Sequence, residues 1–395
     1  MRRFLIFTIL LVFAAGFAFS ADFGLLADQK IEAEKELFTY TLGFTPWFSW
    51  NNGNGVSLFL SGLFSLQYIN DNGNSGWLEP GLVPELSRFA LSYRINQGMS
   101  LEAGRFGYAD VLDIAASGFF DGLRFDFDAP IGSVSAGAFY TGLQYKETAK
   151  IVMTGNDAAN FAKPWDFDSI GDYYASRRAF ITLCWNVPLG ETNTLSAEAL
   201  AQFDLNDSDD KLHSQYGALQ MEFYPVNKMR ITLGGLFETM QNSDGDFGAA
   251  FGALAKVKMN LPTSVNDTFG VTVKFTSGAS GDAFTAFMPI SSIPQGSIFA
   301  GTIAGLALAE VGYIARLIDP LLAECAFRYY IKTYDDDAID GSLYGGELWA
   351  SFKWQPLDDI RVTLGAGAFF PGMGNIYPDD AGVMWKITAG LTVSF

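Results

Sequence analysis

Thirteen bases stand at alternate positions inside otherwise apolar segments of this 395-residue chain: Arg88, Arg94, Arg124, Arg178, Arg230, Lys256, Lys258, Lys274, Arg328, Lys332, Lys353, Arg361 and Lys386. Eight acids keep the same parity: Glu102, Asp126, Glu198, Asp204, Glu222, Glu238, Glu324 and Glu347. Charges on one face of extended segments suit the lining of a passage, because a low-dielectric wall focuses their field and concentrates the opposite ion. Thirteen bases against eight acids predict a net basic lining that favours anions. The competing arrangement is pairing across neighbouring strands, which only keeps a lumen wet. Arg94, Arg124, Lys274, Arg328 and Lys332 are expected near mid-strand, whereas Arg88, Arg230 and Arg361 lie near strand ends, within reach of lipid head groups.

Other chemistry lacks its residues. The single histidine, His213, follows the acidic run Asp207-Ser208-Asp209-Asp210, so triads and zinc sites lose their usual base or ligand. Ser208 and Ser214 are near it in sequence, without a motif that activates a hydroxyl. No phosphate loop, metal spacing or dinucleotide fingerprint occurs, and no enzyme activity is expected. A net charge of -18, from 43 acids and 25 bases, argues against a general nucleic-acid binder. The acidic excess gathers in polar links: Asp207 to Asp210, Asp244-Gly245-Asp246, Asp335-Asp336-Asp337 with Asp340, and Asp379-Asp380. Such clusters can take Ca2+ through their oxygens. None has the full calcium-loop spacing, and solvated, mutually repelling loops are the simpler expectation. No resident cofactor is expected.

The elements that must carry these charges are strands. Apolar residues make up 49% and aromatics 15% of the chain, and 42 glycines are spread through the apolar segments. Each would cost a helix interior about 1 kcal/mol against Ala. Trp385, Ile387, Ala389, Leu391, Val393 and Phe395 alternate with Lys386, Thr388, Gly390, Thr392 and Ser394. The same dyad runs through Val56 to Tyr68, Phe269 to Thr276 and Arg361 to Phe370. About a dozen such segments of roughly ten residues, with aromatics at their ends, predict an all-β fold, a transmembrane antiparallel barrel. Short connections near 96–98, 128–130, 188–190, 225–227, 261–263, 319–320 and 356–358 alternate with long ones at 107–118, 145–176, 205–213, 277–298, 334–341 and 371–380. Seventeen strands can be counted from residue 38 onward. Bacterial barrels close with even numbers, so 16 or 18 are expected, the discrepancy lying within residues 22–86.

Met1-Arg2-Arg3, the apolar run Phe4 to Phe19, and Ala18 and Ser20 before Ala21 predict a signal peptide over 1–20. Residues 21–36 are expected as a short periplasmic segment and 37–395 as the barrel. No later stretch reaches 18 uncharged apolar residues, so an inner-membrane helix is not expected. The expected location is the bacterial outer membrane. Cys184 and Cys325, on opposite parities, do not make a disulfide framework. The aromatic end Phe395 fits recognition by the barrel-insertion machinery. The connection 145–176 carries Phe161, Pro164, Trp165, Phe167, Tyr173 and Tyr174, which suit constriction of the pore, stacking on sugar rings, or packing on neighbouring loops.

Two patches resemble a known family. Leu101-Glu102-Ala103-Gly104-Arg105 with Phe119-Phe120-Asp121-Gly122-Leu123-Arg124-Phe125 is similar to signatures of alginate-export outer-membrane barrels, as is Tyr344-Gly345-Gly346-Glu347-Leu348 with Leu364 to Gly372. The resemblance implies an 18-stranded monomeric barrel with an arginine-rich constriction for a polyanionic polysaccharide. Arg105 and Arg124 would match the motif arginines, Asp121 and Gly122 the motif pair, and Glu347 the C-terminal acid.

The leading expectation is a porin-like channel for passive passage of small or oligomeric anionic or sugar-like solutes. The alternatives are a polysaccharide export barrel, which needs a periplasmic partner to deliver the chain, and a surface adhesin or structural barrel without transport.

Overall fold

The computed structural model describes residues 21–279, 285–334, 341–378 and 380–395. The expected signal peptide lies outside them. Nineteen strands follow one another: β1 (Ala21–Glu34), β2 (Leu37–Asn51), β3 (Val56–Asp71), β4 (Asn74–Trp77), β5 (Val83–Asn96), β6 (Met99–Ala109), β7 (Ser117–Ala129), β8 (Gly132–Tyr140), β9 (Arg178–Leu189), β10 (Asn193–Asp204), β11 (Leu212–Val226), β12 (Met229–Asn242), β13 (Phe247–Asn260), β14 (Thr268–Thr276), β15 (Leu306–Ile318), β16 (Leu321–Lys332), β17 (Leu343–Leu357), β18 (Ile360–Phe370) and β19 (Met384–Ser394). Consecutive strands other than β4 and β5 pair antiparallel, β3 also pairs past β4 with β5, and β1 pairs with both β2 and β19. The ring therefore closes. β4 pairs only with β3, which leaves eighteen strands in the wall.

Closure corrects the expected N-terminal boundary. Residues 21–36 are not a periplasmic segment, because Ala21–Glu34 is the strand that seals the barrel. Without it the strand at 38–50 would run parallel to the last one. Its outward residues Phe23, Leu25, Ala27, Ile31 and Ala33 share their face with polar Gln29, and its other face carries Asp28, Lys30, Glu32 and Glu34. That dyad is weaker than the others, so hydropathy does not reveal it.

Phe237, Phe251, Leu364 and Ile387 each expose about half of their surface on the outer wall. Such a belt is stable against lipid, and a closed ladder leaves no unpaired strand edge inside it. The short connections, including 97–98, 130–131, 227–228 and 319–320, share one rim with both ends of the wall. The long ones, including 110–116, 141–177 and 277–305, occupy the opposite rim. Barrel anatomy assigns the first rim to the periplasm and the second to the exterior.

The hydrophobic core lies inside the barrel. Leu112, Ile114, Ile151, Met153, Phe287, Ile290 and Ile303 fold inward from three connections and pack on the wall residues Phe120, Phe139, Phe180, Leu200, Tyr216 and Leu236. The connection 141–177 also holds two short helices, α1 (Lys146–Ala149) and α2 (Gly155–Ala162). Its aromatic residues mostly stay at the rim. Tyr145 and Tyr173 stack, Trp165 meets both edge-on, the three pack against Val83, and the Tyr173 hydroxyl donates to the Pro84 carbonyl at 2.6 Å.

Candidate functional site in the lumen

The connection 110–116 enters the lumen as a finger folded around its own carboxylate. Asp110 accepts hydrogen bonds from the backbone N–H groups of Leu112, Ile114, Ala115 and Ala116, at 3.0, 3.1, 2.8 and 2.8 Å. Burial pushes the Asp110 carboxyl above its ordinary range, and those four donors oppose the shift. Across the lumen, Glu198 on β10 accepts from the Val111 N–H and the Tyr108 hydroxyl, both at 2.7 Å. The Lys274 ammonium on β14 donates to the Asp113 carbonyl at 3.1 Å. Leu112 rests on Gly234 of β12, where an added Cβ would come 2.2 Å from Leu112 Cδ2. The finger docks there because the wall has no side chain.

A second inward segment, 285–303, is also held by wall carboxylates. Glu238 accepts the Met288 N–H at 3.0 Å. Glu347 accepts the N–H groups of Ser297, Ile298 and Phe299 at 2.9, 3.0 and 2.8 Å, and the Arg328 guanidinium at 2.9 Å. Three acids read from the sequence as lining, Glu198, Glu238 and Glu347, are therefore anchors for inward segments. Replacing Gly234 with Leu should push the finger off the wall and at least about double single-channel conductance, since current follows the open cross-section. Unchanged conductance would show that the finger does not limit flow.

Most of the expected cations have partners. Arg124 pairs with Glu102 at 2.8 Å and Asp126 at 3.3 Å, Arg328 with Glu310 at 2.6 Å as well as Glu347, and Arg230 with Glu222 at 3.6 Å. Lys353 pairs with Glu324 at 2.9 Å, and Lys386 with Glu32 and Glu34 at 3.0 and 3.1 Å. Arg178 does not line a passage. It is fully buried between Asp157 and Asp204, and its guanidinium also donates to the Leu212 carbonyl at 3.2 Å. Lys332 is buried against the Tyr334 ring, 5.0 Å from its centroid. Arg88 stands over the Phe59 ring at 5.0 Å. Arg94 is close to the periplasmic end of β5 rather than at mid-strand, and Arg361 is close to the same rim on β18.

Arg105 is a structural clamp. It grips Asp121 at 2.9 and 2.8 Å and the carbonyls of Leu86 and Leu143. Gly122 fits beside it because a Cβ there would lie 2.3 Å from the Ala138 carbonyl oxygen.

Register also adds charges that the sequence reading missed. Asp28, Glu32, Glu34, Glu85 and Glu310 share the inward face, as does Lys30. Asp22 lies on the same face of β1, and Arg178 leaves the lining, so the acids added offset the excess of thirteen bases over eight and the lumen as a whole carries no marked basic excess. β1 is not visible as a strand in the sequence, and Glu310 takes its inward place from the pairing of β15 with β14 and β16.

The basic character is local instead. A cavity of about 770 Å³ in the periplasmic half is lined by Lys228, Arg230, Lys256, Lys258 and Arg328, against only Glu310 and Glu324 among acids. Arg230 and Lys258 are directly opposite across β12 and β13. Like charges so placed repel unless an anion answers them. Lys256 and Lys258 form no ion pair among the described residues. Tyr224 and Trp349 complete the lining beside these charges.

No group of three or more His, Cys, Asp or Glu among the described residues is placed to hold a metal. Asp207, in one of the acidic loops, is engaged by Arg177, which holds its carboxyl below the ordinary range. Asp335, Asp336, Asp337, Asp340 and Asp379 lie outside the described residues. Both cysteines are free, Cys184 facing the lumen and Cys325 the outer wall.

A closed, lipid-belted barrel of eighteen strands with inward-folded connections is an outer-membrane β-barrel, and its location is the bacterial outer membrane. It is similar to the outer membrane protein OpdK from Pseudomonas aeruginosa, with a TM-score of 0.63 and 13% identity over 95% of this chain and 98% of that one. OccK5 (OpdH) of the same organism matches with a TM-score of 0.58 and 10% identity over 95% and 98%. OprD matches with 0.55 and 11% over 95% of each chain. This likeness is one of fold. It runs to the OpdK, OccK and OprD proteins rather than to alginate-export barrels, which corrects the resemblance read from Gly104-Arg105 and Phe120-Asp121-Gly122. No family model and no curated protein matches the chain.

Proposed function

We propose that the chain is a porin-like channel through which small anionic solutes diffuse, with the basic cavity on β12 to β16 as the selecting element. The observation that carries this reading is the lining of that cavity, five bases against two acids. Paired charges elsewhere hydrate the passage and contribute little net field. The inward finger favours small solutes over oligomers. A fold relative, OpdK, is known in complex with vanillate, a small aromatic carboxylate, and the aromatic rings beside the cations here suit that chemical class.

The deciding measurement is the zero-current potential of the refolded chain in a planar bilayer under a salt gradient. Anion selectivity is expected. Cation selectivity would overturn the reading and assign control to the acidic outer loops. A barrel without transport is the second reading, favoured by the apolar core packed inside the lumen. Absence of current from both wild type and Gly234→Leu would establish it.

A further inference from the structure

A carboxyl group stands beneath the second inward segment with no counter-ion among the described residues. Glu238, on the lumen face of β12, is fully buried. Its Oε2 accepts the Met288 N–H at 3.0 Å, while Oε1 makes no hydrogen bond among the described residues. The neighbouring wall presents more unanswered polar atoms: Ser214 Oγ on β11 and both amide atoms of Gln202 on β10. Gln202 and Ser214 are cross-strand partners, and Ser214 lies beside the Glu238 carboxyl.

Tyr216, directly opposite Glu238, donates its hydroxyl to the Met288 carbonyl at 2.6 Å, and Phe287 packs against its ring. Met288 is therefore held through both its N–H and its C=O by two adjacent wall residues. From β13 the partner of Glu238 is Ala250, which brings no charge. The cation of this region, Arg178 on β9, is already committed to Asp157 and Asp204. The titratable groups around the latch are thus Glu238 and the Tyr216 phenol. The other two anchors differ. Glu347 has Arg328, and both oxygens of Glu198 have donors.

We propose that Glu238 is a proton-operated latch that holds the segment beginning at 285 inside the lumen when neutral and releases it when charged. The inference rests on the channel reading above and adds its regulation. In the closed arrangement the charged form has only neutral donors near it, the Met288 N–H and the Ser214 hydroxyl, and its charge is buried without a counter-ion. Release into a wet lumen hydrates that charge. The neutral acid carries no charge to bury, and its hydroxyl at Oε1 can donate to Ser214 Oγ while Oε2 keeps the Met288 N–H. Acid therefore favours the closed arrangement, and one proton changes the closed-to-open ratio by up to about tenfold per pH unit.

The test is single-channel recording of the refolded full chain between about pH 5 and about pH 8, which brackets the range where a buried carboxyl titrates. Open probability should fall toward acid in the wild type. Glu238→Gln, with a permanent donor and no charge, should stay at the acid level at every pH. A Glu238→Gln channel that keeps the wild-type profile overturns the latch, as does a wild type whose open probability is flat. Heat-modifiable electrophoretic mobility reports folding of each variant. Should Glu238→Gln not fold, Glu238→Met, which carries no titrating proton, should show an open probability that does not change with pH, and a wild-type profile in that variant overturns the proposal. Absence of current at every pH from wild type and Gly234→Leu alike refutes the channel reading, and the latch with it.

Discussion

Lys256→Glu with Lys258→Glu should reverse the ion preference of the channel. The double substitution changes the cavity lining by four elementary charges, since two ammonium groups become carboxylates. Each acts on a passing monovalent ion with at least about 1 kcal/mol at a few ångströms, so the permeability ratio should swing by well over about tenfold. The fold should tolerate the change, because Lys258 faces Arg230 directly across β12 and β13 and a glutamate there replaces repulsion with an ion pair. Zero-current potentials of the double variant and wild type in the same salt gradient decide the matter. An unaltered potential would mean that ions do not pass this cavity. The control is Arg124→Gln, which breaks a charge pair that already includes Glu102 and Asp126 and should move the potential far less.

Arg178→Met is expected to produce the largest loss of stability. The guanidinium is fully buried, Asp157 and Asp204 both bind it, and Asp157 also caps α2 by accepting the N–H groups of Met153 and Thr154 at 2.9 and 3.1 Å. Removing one partner from a buried ion pair leaves uncompensated charge and costs about 3–5 kcal/mol. The thermal transition of the folded barrel in detergent should fall, and connection 141–177 should become sensitive to protease because Asp157 is its tie to β9. Adding Asp157→Asn and Asp204→Asn to Arg178→Met should recover much of the loss, since no charge is then left buried. A transition temperature unchanged in Arg178→Met would show that the clamp contributes nothing.

Asp157 and Arg178 also mark the limit of what a linear pattern reveals. Arg178 has the parity of a lining residue, and nothing in the alternation distinguishes it from Lys256. What separates them is connection 141–177, which buries the first and leaves the second facing a cavity. Glu347 behaves in the same way: its parity is right, and the segment 297–299 converts it from lining to anchor. Arg105 looked like a constriction residue through its motif, but the carbonyls of Leu86 and Leu143 make it a clamp.

The amino-acid sequence by itself determined the barrel. The dyad of Trp385 to Phe395, repeated along the chain, fixes which face of each strand meets lipid, because the two-residue period of an extended backbone is local and needs no tertiary knowledge. The alternation of short and long connections, and with it the orientation of the rims, is equally local. The tertiary structure alone decided the rest. β1 became recognisable only as the partner that β2 and β19 share, since a strand with Gln29 on its lipid face lacks the hydropathic signal and is specified by closure of the ring. The net charge of the lumen changed from basic to nearly balanced once that strand contributed Asp28, Glu32 and Glu34. The path of the finger depends on Leu112 meeting Gly234, residues 122 positions apart in the chain. Contacts of that kind are set by which strands the ring places opposite one another, a property that no window along the sequence contains.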